Sequence, residues 1–403
     1  MKFTCEKALL QNAINTVARA VAQKSSIPAL EGILIRANAQ GLTLSGYNMQ
    51  TGIQTKLSAN VVEEGEIVIG SRLFGDIIRK MYDDVVTLSV NDRMVVHLSC
   101  GPADFEISGL SAEEYPDLPE VEDEYSITID RKVLKEMIEE VAFAVSTNES
   151  RPIHTGALFE IADGNLTMAA VDGFRLAVRR EALDKIEGGA FSFVAPGNAL
   201  NEVKSICGDT KSNNYEAEET NSDELQEESG EVSDKKRKSG SDANELAAIT
   251  LGKRHILFAV GNTELICRRL EGEFLDYRNA VPKNNPISVT VETKELIGSI
   301  ERVSVMISEK LKSPVRCVFD HDKVLLSAKT STGEAKDICP IAGDGGGLEI
   351  GFNNRYLMEA LRYAPATTVR VELNTGVSPA LILPVEEDGK FLYMVLPVRL
   401  KAN

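Results

Sequence analysis

The chain has 403 residues, of which 43% are hydrophobic and 26% charged, and its formal net charge is −17. This is an ordinary globular composition with enough apolar residues for several cores. It contains no apolar run of about 18 residues and no basic start followed by an apolar segment, which argues against a membrane span or a secretory signal. The six cysteines lack CxxC spacing, so we expect reduced thiols in a cytoplasmic protein.

Three stretches carry apolar residues at spacings of four, three and four, which lays one stripe along an α-helix. The stripes consist of Leu10, Ile14, Val17 and Val21, then Leu134, Ile138, Val141 and Val145, and last Leu296, Ile300, Val303 and Ile307. A short alternating strand precedes each helix (MKFTC, YSITID and ISVTVE), and a pair of strands follows it (GILIRANAQGLTLSG, GALFEIADGNLTMAA and PVRCVFDHDKVLLSA). The same order of elements therefore occurs three times.

The repeat has the length of a whole domain. Equivalent residues Leu42, Leu166 and Val324 lie 124 and 158 positions apart, and the second interval contains an insertion of 37 residues. A period of about 120 residues is too long for a solenoid repeat but fits a domain. We predict an α+β protein of three repeated domains, with boundaries 1–124, 125–286 and 287–403.

The insertion at 209–245 is almost free of apolar side chains and has 12 acidic and 5 basic residues. Such a segment cannot bury enough surface to offset its ordering entropy, so we predict a disordered loop. Its basic run at 235–238 resembles a targeting or nucleic-acid patch. Because this run is surrounded by acidic residues, a solvated block of charge is the favoured interpretation.

The net charge is unevenly distributed along the chain. Six helices are predicted, at 7–24, 71–80, 131–146, 198–206, 294–312 and 354–362. Together they carry +7, and the remaining residues carry −24. One explanation is that Lys and Arg are simply good helix formers. The other is that the helices line a surface that meets a polyanion, with the strands outside. On helix polarity alone, Arg72, Arg79 and Lys80 are candidates for contact with such a polyanion.

No catalytic or metal-binding constellation is found in the sequence. The four histidines are far apart and lack HxxxH or HExxH spacing, and the glycine cluster at 343–347 lacks the Lys and Ser or Thr of a phosphate loop. Asp172, in the segment VDGFR, is better explained by an Asp-Gly turn than by a role as nucleophile. We therefore predict no metal and no cofactor.

Several segments carry a resemblance to one family. They are the opening MKF, residues 27–30 (IPAL), 151–156, VDGFRLAV at 171–178, EGEFLDYRNAVP at 271–282, 351–353 and YMVLPVRL at 393–400. Together they resemble the bacterial DNA polymerase III beta subunits, the beta sliding clamps. The likeness spans the chain except for the insertion.

The resemblance implies a homodimeric ring. Two chains of three DNA-clamp domains would join head to tail into a closed circle, with helices inside and sheets outside. Double-stranded DNA would pass through the hole without sequence specificity. Lys24 matches a DNA-contacting position of the family. The family's subunit contact corresponds to Phe105 and Ile107 of one chain against Met306 and Ile307 of the other, although Ile307 fits the buried helical stripe equally well.

The resemblance also implies an apolar cleft between the second and third domains. In the family, this cleft takes short Gln- and Leu/Phe-containing peptides of the replicative polymerase, the clamp loader and repair proteins. The corresponding residues are His154, Thr155, Val171, Gly173, Arg175, Leu176, Leu275, Val377, Pro379, Met394, Leu396, Pro397, Val398 and Arg399. Arg175 and Arg399 are expected at the rim, and the apolar members either form an anchor pocket or are plain strand core.

Three positions depart from the family pattern. His154 replaces a usual Leu, Leu275 replaces a common Pro, and Phe174 replaces a frequent His or Tyr.

From the resemblance as a whole, we predict a non-catalytic processivity factor for DNA polymerase, active in DNA replication. The alternatives are a repeat-built cytosolic enzyme and a scaffold with an interdomain cleft. The enzyme alternative would require a catalytic nucleophile and a general base to activate it. The sequence shows no such pair of residues.

Overall fold

The computed structural model describes residues 1–122, 124–183, 186–187, 189–208, 245–307, 313–386 and 389–400. The chain forms two compact units, one of Met1–Lys132 with Ser205–Arg268 and one of Val133–Lys204 with Arg269–Asn403. The three predicted domain boundaries differ from this division and stay a prediction. The predicted disorder of the insertion falls outside the described residues, except for Glu245.

Among the described residues, all six predicted helices are present together with one short additional helix; positions 308–312 of the predicted helix 294–312 lie outside the described residues. The helices are α1 (Lys7–Val17), α2 (Ser71–Lys80), α3 (Arg131–Ala142), α4 (Gly197–Gly208), α5 (Tyr277–Ala280), α6 (Thr293–Ser304) and α7 (Asn354–Arg362). In the first helix of each repeat, the first three residues of the predicted stripe are buried. The fourth (Val21, Val145 or Ile307) lies beyond the helix and is only partly buried.

The strands repeat their order in each third of the chain. In the first third they are β1 (Lys2–Glu6), β2 (Gly32–Asn38), β3 (Gly41–Tyr47), β4 (Thr51–Leu57), β5 (Asn60–Glu63), β6 (Gly65–Gly70), β7 (Val85–Val90), β8 (Val95–Cys100) and β9 (Ala103–Ser108). In the second they are β10 (Tyr125–Asp130), β11 (Gly156–Ala162), β12 (Asn165–Val171), β13 (Arg175–Ala182), β14 (Ile186–Glu187), β15 (Phe191–Pro196), β16 (Leu246–Leu251), β17 (His255–Val260) and β18 (Thr263–Arg268). In the last they are β19 (Ile287–Glu292), β20 (Val315–Phe319), β21 (Lys323–Thr330), β22 (Gly333–Pro340), β23 (Leu348–Phe352), β24 (Thr368–Leu373), β25 (Ala380–Pro384) and β26 (Phe391–Val395).

The first unit contains two antiparallel sheets. One has the strand order β5-β1-β7-β8-β9, and the other contains the order β10-β16-β17-β18-β4-β3-β2-β6. Helix α1 packs on β3 and β4 and contacts α2. Its apolar stripe covers the sheet because Leu10, Ile14 and Val17 are buried while the intervening polar side chains face away.

The second unit also contains two antiparallel sheets. One has the order β15-β11-β12-β13-β26-β25-β24-β19, and the other has the order β22-β21-β20-β23. Helix α6 packs on β21 and β22 and contacts α7. The second unit therefore places a strand from the middle third of the chain, β13, directly beside a strand from the last third, β26.

A first strand joint, β4 with β18, links the first and middle thirds of the chain. The strands are antiparallel, and Ile53 lies opposite Leu265. Backbone hydrogen bonds flank the pairing at both ends, from Arg268 N–H to Gln50 O at 3.2 Å and from Lys56 N–H to Asn262 O at 3.0 Å.

The second joint, β13 with β26, has the same arrangement. Ala177 lies opposite Tyr393. The flanking backbone hydrogen bonds run from Leu396 N–H to Phe174 O at 2.9 Å and from Arg180 N–H to Lys390 O at 2.8 Å. Within the repeat, β4 corresponds to β13 and β18 to β26, so the two joints pair equivalent strands in the same register.

Candidate functional site

An apolar cluster lies at the second joint and contains three of the predicted cleft residues. Val171 ends β12, Leu176 is in β13, and Met394 lies opposite Leu176 in β26. All three are buried in a cluster with Ala169, Tyr277 and Leu381, and Phe274 packs against it. Side chains from two repeats therefore share one core. All three side chains are nearly inaccessible to solvent.

The turn between β12 and β13 is built by Asp172, as the sequence predicted. Its carboxylate accepts hydrogen bonds from the backbone N–H groups of Phe174 at 2.9 Å and Arg175 at 3.1 Å. Gly173 has a φ of 88°, a conformation that favours glycine. The carboxylate of Asp172 thus acts in turn formation, and the turn exposes Phe174 beside Leu396, whose N–H bonds to the Phe174 carbonyl.

The expected rim position of Arg175 is wrong. Its side chain is 6% exposed, and its Nε donates to Asp172 at 2.9 Å while its Nη1 donates to Glu359 of α7. A buried guanidinium needs such partners because an unpaired buried charge is very unfavourable. Arg399, in contrast, is exposed as expected.

His154 lies at the edge of the cluster. Its ring is in edge-to-face contact with that of Phe274, with 5.7 Å between centroids. Partial burial, followed by the charge of Arg151, lowers the pKa of His154. The neighbouring Thr155 is partly buried, and its hydroxyl donates to the Pro152 carbonyl at 2.7 Å.

The remaining predicted cleft residues differ in their exposure. Leu396, Pro397 and Val398 follow β26 and are partly buried, as is Pro379 before β25. The Val398 N–H donates to the Gly351 carbonyl at 2.8 Å, which fixes this segment against β23. Leu275 and Val377 are exposed apolar side chains outside the buried cluster.

A cavity of about 660 Å³ adjoins Leu275. The residues that line it come from β11, β15 and the segment before and within α5: Leu158, Ser192, Phe193, Val194, Arg269, Leu270, Glu271, Gly272, Glu273, Phe274, Leu275, Asp276, Tyr277 and Arg278. Leu275 is its only predicted cleft residue. The cavity therefore adjoins the buried cluster through Phe274 and Tyr277.

Sequence reasoning missed the aromatic residues of this region. Phe274, Tyr277 and Tyr356 lie in or next to the site, and Phe174 was noted only as a departure. The ring of Phe174 is 57% exposed and stacks on that of Tyr356, with 5.7 Å between centroids. A pairing between a turn in one repeat and a helix in another has no local signal in the sequence.

A buried ion pair stabilises the same joint on the helix side. The Nε atom of Arg179 donates to the Glu140 carboxylate of α3 at 2.7 Å, and its Nη2 donates to Glu181 at 2.7 Å. Burial raises the pKa of Glu140 to about 7, although Arg179 opposes this rise. Tyr393 is also buried, and its hydroxyl donates to the Tyr363 carbonyl at 2.9 Å.

The predicted subunit-contact residues lie at or near sheet edges. Phe105 and Ile107 are in β9, an edge strand, and both are partly exposed. Met306 and Ile307 follow α6 and are partly exposed. The methyl group of Met306 lies 2.9 Å from where a side chain on Gly333 would begin, so Met306 packs beside the edge strand β22.

The predicted DNA-binding residues are exposed. Lys24 lies in a loop after α1, so the expectation that helix extends to it was wrong. Arg72, Arg79 and Lys80 lie on the exposed side of α2. Arg79 pairs with Asp76 at 3.0 Å, which offsets part of its charge.

The described part of the chain has neither a cluster of potential metal ligands nor a membrane-spanning helix. There, no group of three or more His, Cys, Asp or Glu side chains is placed to hold a metal ion. None of its helices is long and apolar enough to cross a bilayer.

Three sequence models of one family match the chain in the order of its repeats. They describe the DNA polymerase III beta subunit, with its N-terminal domain matching residues 1–119, its central domain 128–215 and its C-terminal domain 278–399. The chain belongs to the DNA polymerase III beta subunit family. This confirms both the suspected family and the prediction of three repeated α+β clamp domains.

Relatives of the same length support this assignment. The beta sliding clamp of Bacillus subtilis is 28% identical over 99% of this chain and 100% of its own length. That of Staphylococcus epidermidis is 29% identical and covers 99% of each chain. A crystal structure of the Bacillus subtilis DNA polymerase sliding clamp is 28% identical, covers 100% of both chains and has a TM-score of 0.85.

Proposed function

We propose that this chain is a sliding clamp, a non-catalytic subunit that gives processivity to the replicative DNA polymerase. Two copies form a closed ring around duplex DNA in the cytoplasm. The ring recruits polymerase, clamp loader and repair proteins through short peptides. Family membership supports the general role, and the geometry of this chain supports the finer assignments.

The pattern of strand joints is the observation that best supports a closed ring. Each joint pairs two types of strand. One type is β4 in the first joint and β13 in the second, and the other type is β18 in the first joint and β26 in the second. The third member of each type, β22 and β9, stands at the end of its sheet in the described structure. Pairing β9 of one chain with β22 of another would repeat the same joint. Two chains joined in this way at both ends form a closed ring.

The repeat also predicts the register between the chains. Phe105 corresponds to Leu265 and Ala335 to Ile53, which lie opposite each other in the first joint. Phe105 should therefore lie opposite Ala335 of the partner copy, in a pair without direct backbone hydrogen bonds and with the Cα atoms about 4.5 Å apart. Asp104 would then lie opposite Lys336, which places opposite charges together.

Other residues at these edges support the same contact. Ile107 would lie opposite Gly333, next to Met306 of the partner copy. Val305 is 83% exposed and Ile338 is 59% exposed, so apolar surface is available near β22. Exposed apolar side chains beside an unpaired strand are characteristic of a protein–protein contact.

Disulfide crosslinking tests this joint. In the double variant Phe105→Cys with Ala335→Cys, the opposed Cα atoms would fall in the range that a disulfide requires. Mild oxidation should give a covalent dimer. The matched control, Phe105→Cys with Glu334→Cys, shifts one partner to the opposite face of the strand and should crosslink poorly. Equal crosslinking of both variants, or a monomer in solution, would contradict the proposed joint.

For the peptide site, we propose that partners bind over the cluster at the second joint. Val171, Leu176 and Met394 form its apolar floor, Leu396 and Val398 line one side, and the exposed Leu275 and Val377 are available at the edges. An apolar floor with few polar groups suits a Leu or Phe anchor.

For DNA, we propose that the exposed basic side chains of Lys24, Arg72, Arg79 and Lys80 contact the phosphate groups.

A further inference from the structure

Five side chains form a stacked ladder in the second unit. Tyr363 stacks on Phe143, with 5.0 Å between ring centroids and 4° between the planes. The Arg175 guanidinium carbon lies 5.4 Å from the Phe143 centroid and 4.6 Å from the Tyr356 centroid. Tyr356 in turn stacks on Phe174. The ladder thus runs from Tyr363 to the exposed ring of Phe174 beside Leu396.

The ladder alternates between two repeats. Phe143, Arg175 and Phe174 belong to the middle third of the chain, whereas Tyr356 and Tyr363 lie in or just after α7, in the last third. Each stacked contact except that of Phe143 with Arg175 therefore joins the two thirds. The orientation of the exposed ring at one end depends on contacts made by the cation near the middle.

Glu359 holds that cation in place. Its carboxylate accepts from Arg175 Nη1, and its other oxygen accepts from Arg355 Nε at 2.9 Å. Burial alone would raise the pKa of Glu359, but the hydrogen bonds from the two arginines lower it overall. Glu359 therefore stays ionised at neutral pH and holds the Arg175 guanidinium against the rings, where cation–π attraction is strongest for desolvated groups.

We propose that Glu359 is a positioning residue of the peptide site. It acts through Arg175 and Tyr356 to hold the Phe174 ring where a bound peptide packs against it. A ring fixed in advance lowers the entropy cost of binding. This inference depends on the proposed peptide site, and it assigns a role to a side chain on α7 that belongs to none of the predicted cleft positions.

A double-mutant cycle tests the role of Glu359. Peptide affinity is measured for the full chain and for Glu359→Gln, Phe174→Ala and both changes together, with a fluorescent peptide that contains Gln and a Leu-Phe pair. Glu359→Gln should weaken binding roughly tenfold, the effect of losing a charged hydrogen bond. In the Phe174→Ala background it should have little further effect, because its influence passes through that ring. Glu359→Asp should restore part of the affinity.

Glu301→Gln is the matched control, because Glu301 of α6 forms an ion pair at 2.5 Å with Arg362 of α7 and is not a member of the ladder. It should leave peptide affinity unchanged. If the losses from Glu359→Gln and Phe174→Ala multiply, Glu359 stabilises the fold generally and the positioning role is wrong. No loss in Glu359→Gln would also overturn it. Failure of the unaltered chain to bind the peptide, or full binding by Leu396→Ala, would refute the peptide site itself.

Discussion

At the residue scale, Leu396 gives the most direct test of the cleft. It follows β26, is partly buried, and its N–H bonds to the Phe174 carbonyl. Leu396→Ala keeps that backbone bond and removes apolar contact surface. Truncation of an anchor contact costs about 2 kcal/mol, so peptide affinity should fall roughly thirtyfold in a fluorescence titration.

Dimer size and DNA encirclement should be unchanged in Leu396→Ala. Val377→Ala is a useful comparison, because this exposed side chain lies outside the buried cluster and should affect affinity less. Unchanged affinity in Leu396→Ala would place the partner site elsewhere on the molecule.

His154 predicts a pH dependence of peptide binding. From the sequence alone, affinity should fall between about pH 7.5 and 5.5, the range around the ordinary histidine pKa of about 6.5. The structure moves this range downward, because burial and Arg151 lower the pKa of His154. The neutral form of His154 is thus favoured in the folded chain. Peptide affinity should therefore be highest above about pH 6.5, where the imidazole is neutral, and should fall as the pH drops through the lowered pKa.

The measurement is peptide affinity from pH 8 to pH 5 in the unaltered chain and in His154→Leu. Affinity should be level down to about pH 6.5, fall below it, and fall less in the variant. Glu359 should not contribute in this range, because its pKa is lowered from an already acidic value. An identical fall in both proteins would assign the titration to another group.

Residue identities could be predicted further than residue environments. Val171, Leu176 and Met394 lie in one buried cluster, and strand alternation fixes which face of the sheet each of them occupies. The expected rim position of Arg175 was wrong because its partner Glu359 is 184 positions away. The sequence carries no signal that a carboxylate so far along the chain would neutralise this guanidinium.

At the element scale, the sequence predicts the repeated order of strands and helices well. Strands with alternating apolar residues, and helices with apolar residues at spacings of four, three and four, are determined by the local sequence. All of those predicted are present. Helix ends were predicted less well. The apolar stripe continues past each first helix, because residues such as Val21 and Ile307 pack from the segment after the helix, where periodicity alone cannot mark the end.

The insertion gives a prediction at this scale. It lies between α4 and β16, where the other repeats have a short turn from helix to strand. Deletion of 209–244 with a short Gly-Ser connection should leave the melting temperature and the dimer nearly unchanged, because the cost of closing a loop grows slowly with its length. Calorimetry and size-exclusion chromatography are the measurements. A large fall in melting temperature would mean that the segment packs on the fold.

At the scale of the whole molecule, the equivalence of joints is the part that sequence patterns could not supply. Three copies of a domain can be read from the spacing of Leu42, Leu166 and Val324. Which strand of one copy pairs with which strand of the next depends on the edges of the sheets. The structure shows this pairing through the equivalent backbone hydrogen bonds at Gln50 and Phe174. The same matching supports our proposal that the edge strands β9 and β22 pair with those of a second chain.

We propose that two chains close into a ring that holds DNA by encirclement. Electrostatic contacts with phosphate weaken steeply as salt rises, but a closed ring on circular DNA cannot dissociate without opening. The decisive measurement is retention of the clamp, loaded onto nicked circular DNA, through a high-salt wash before and after the circle is cut once. We predict retention on the intact circle and loss after the cut. Equal loss from circular and linear DNA would contradict the ring.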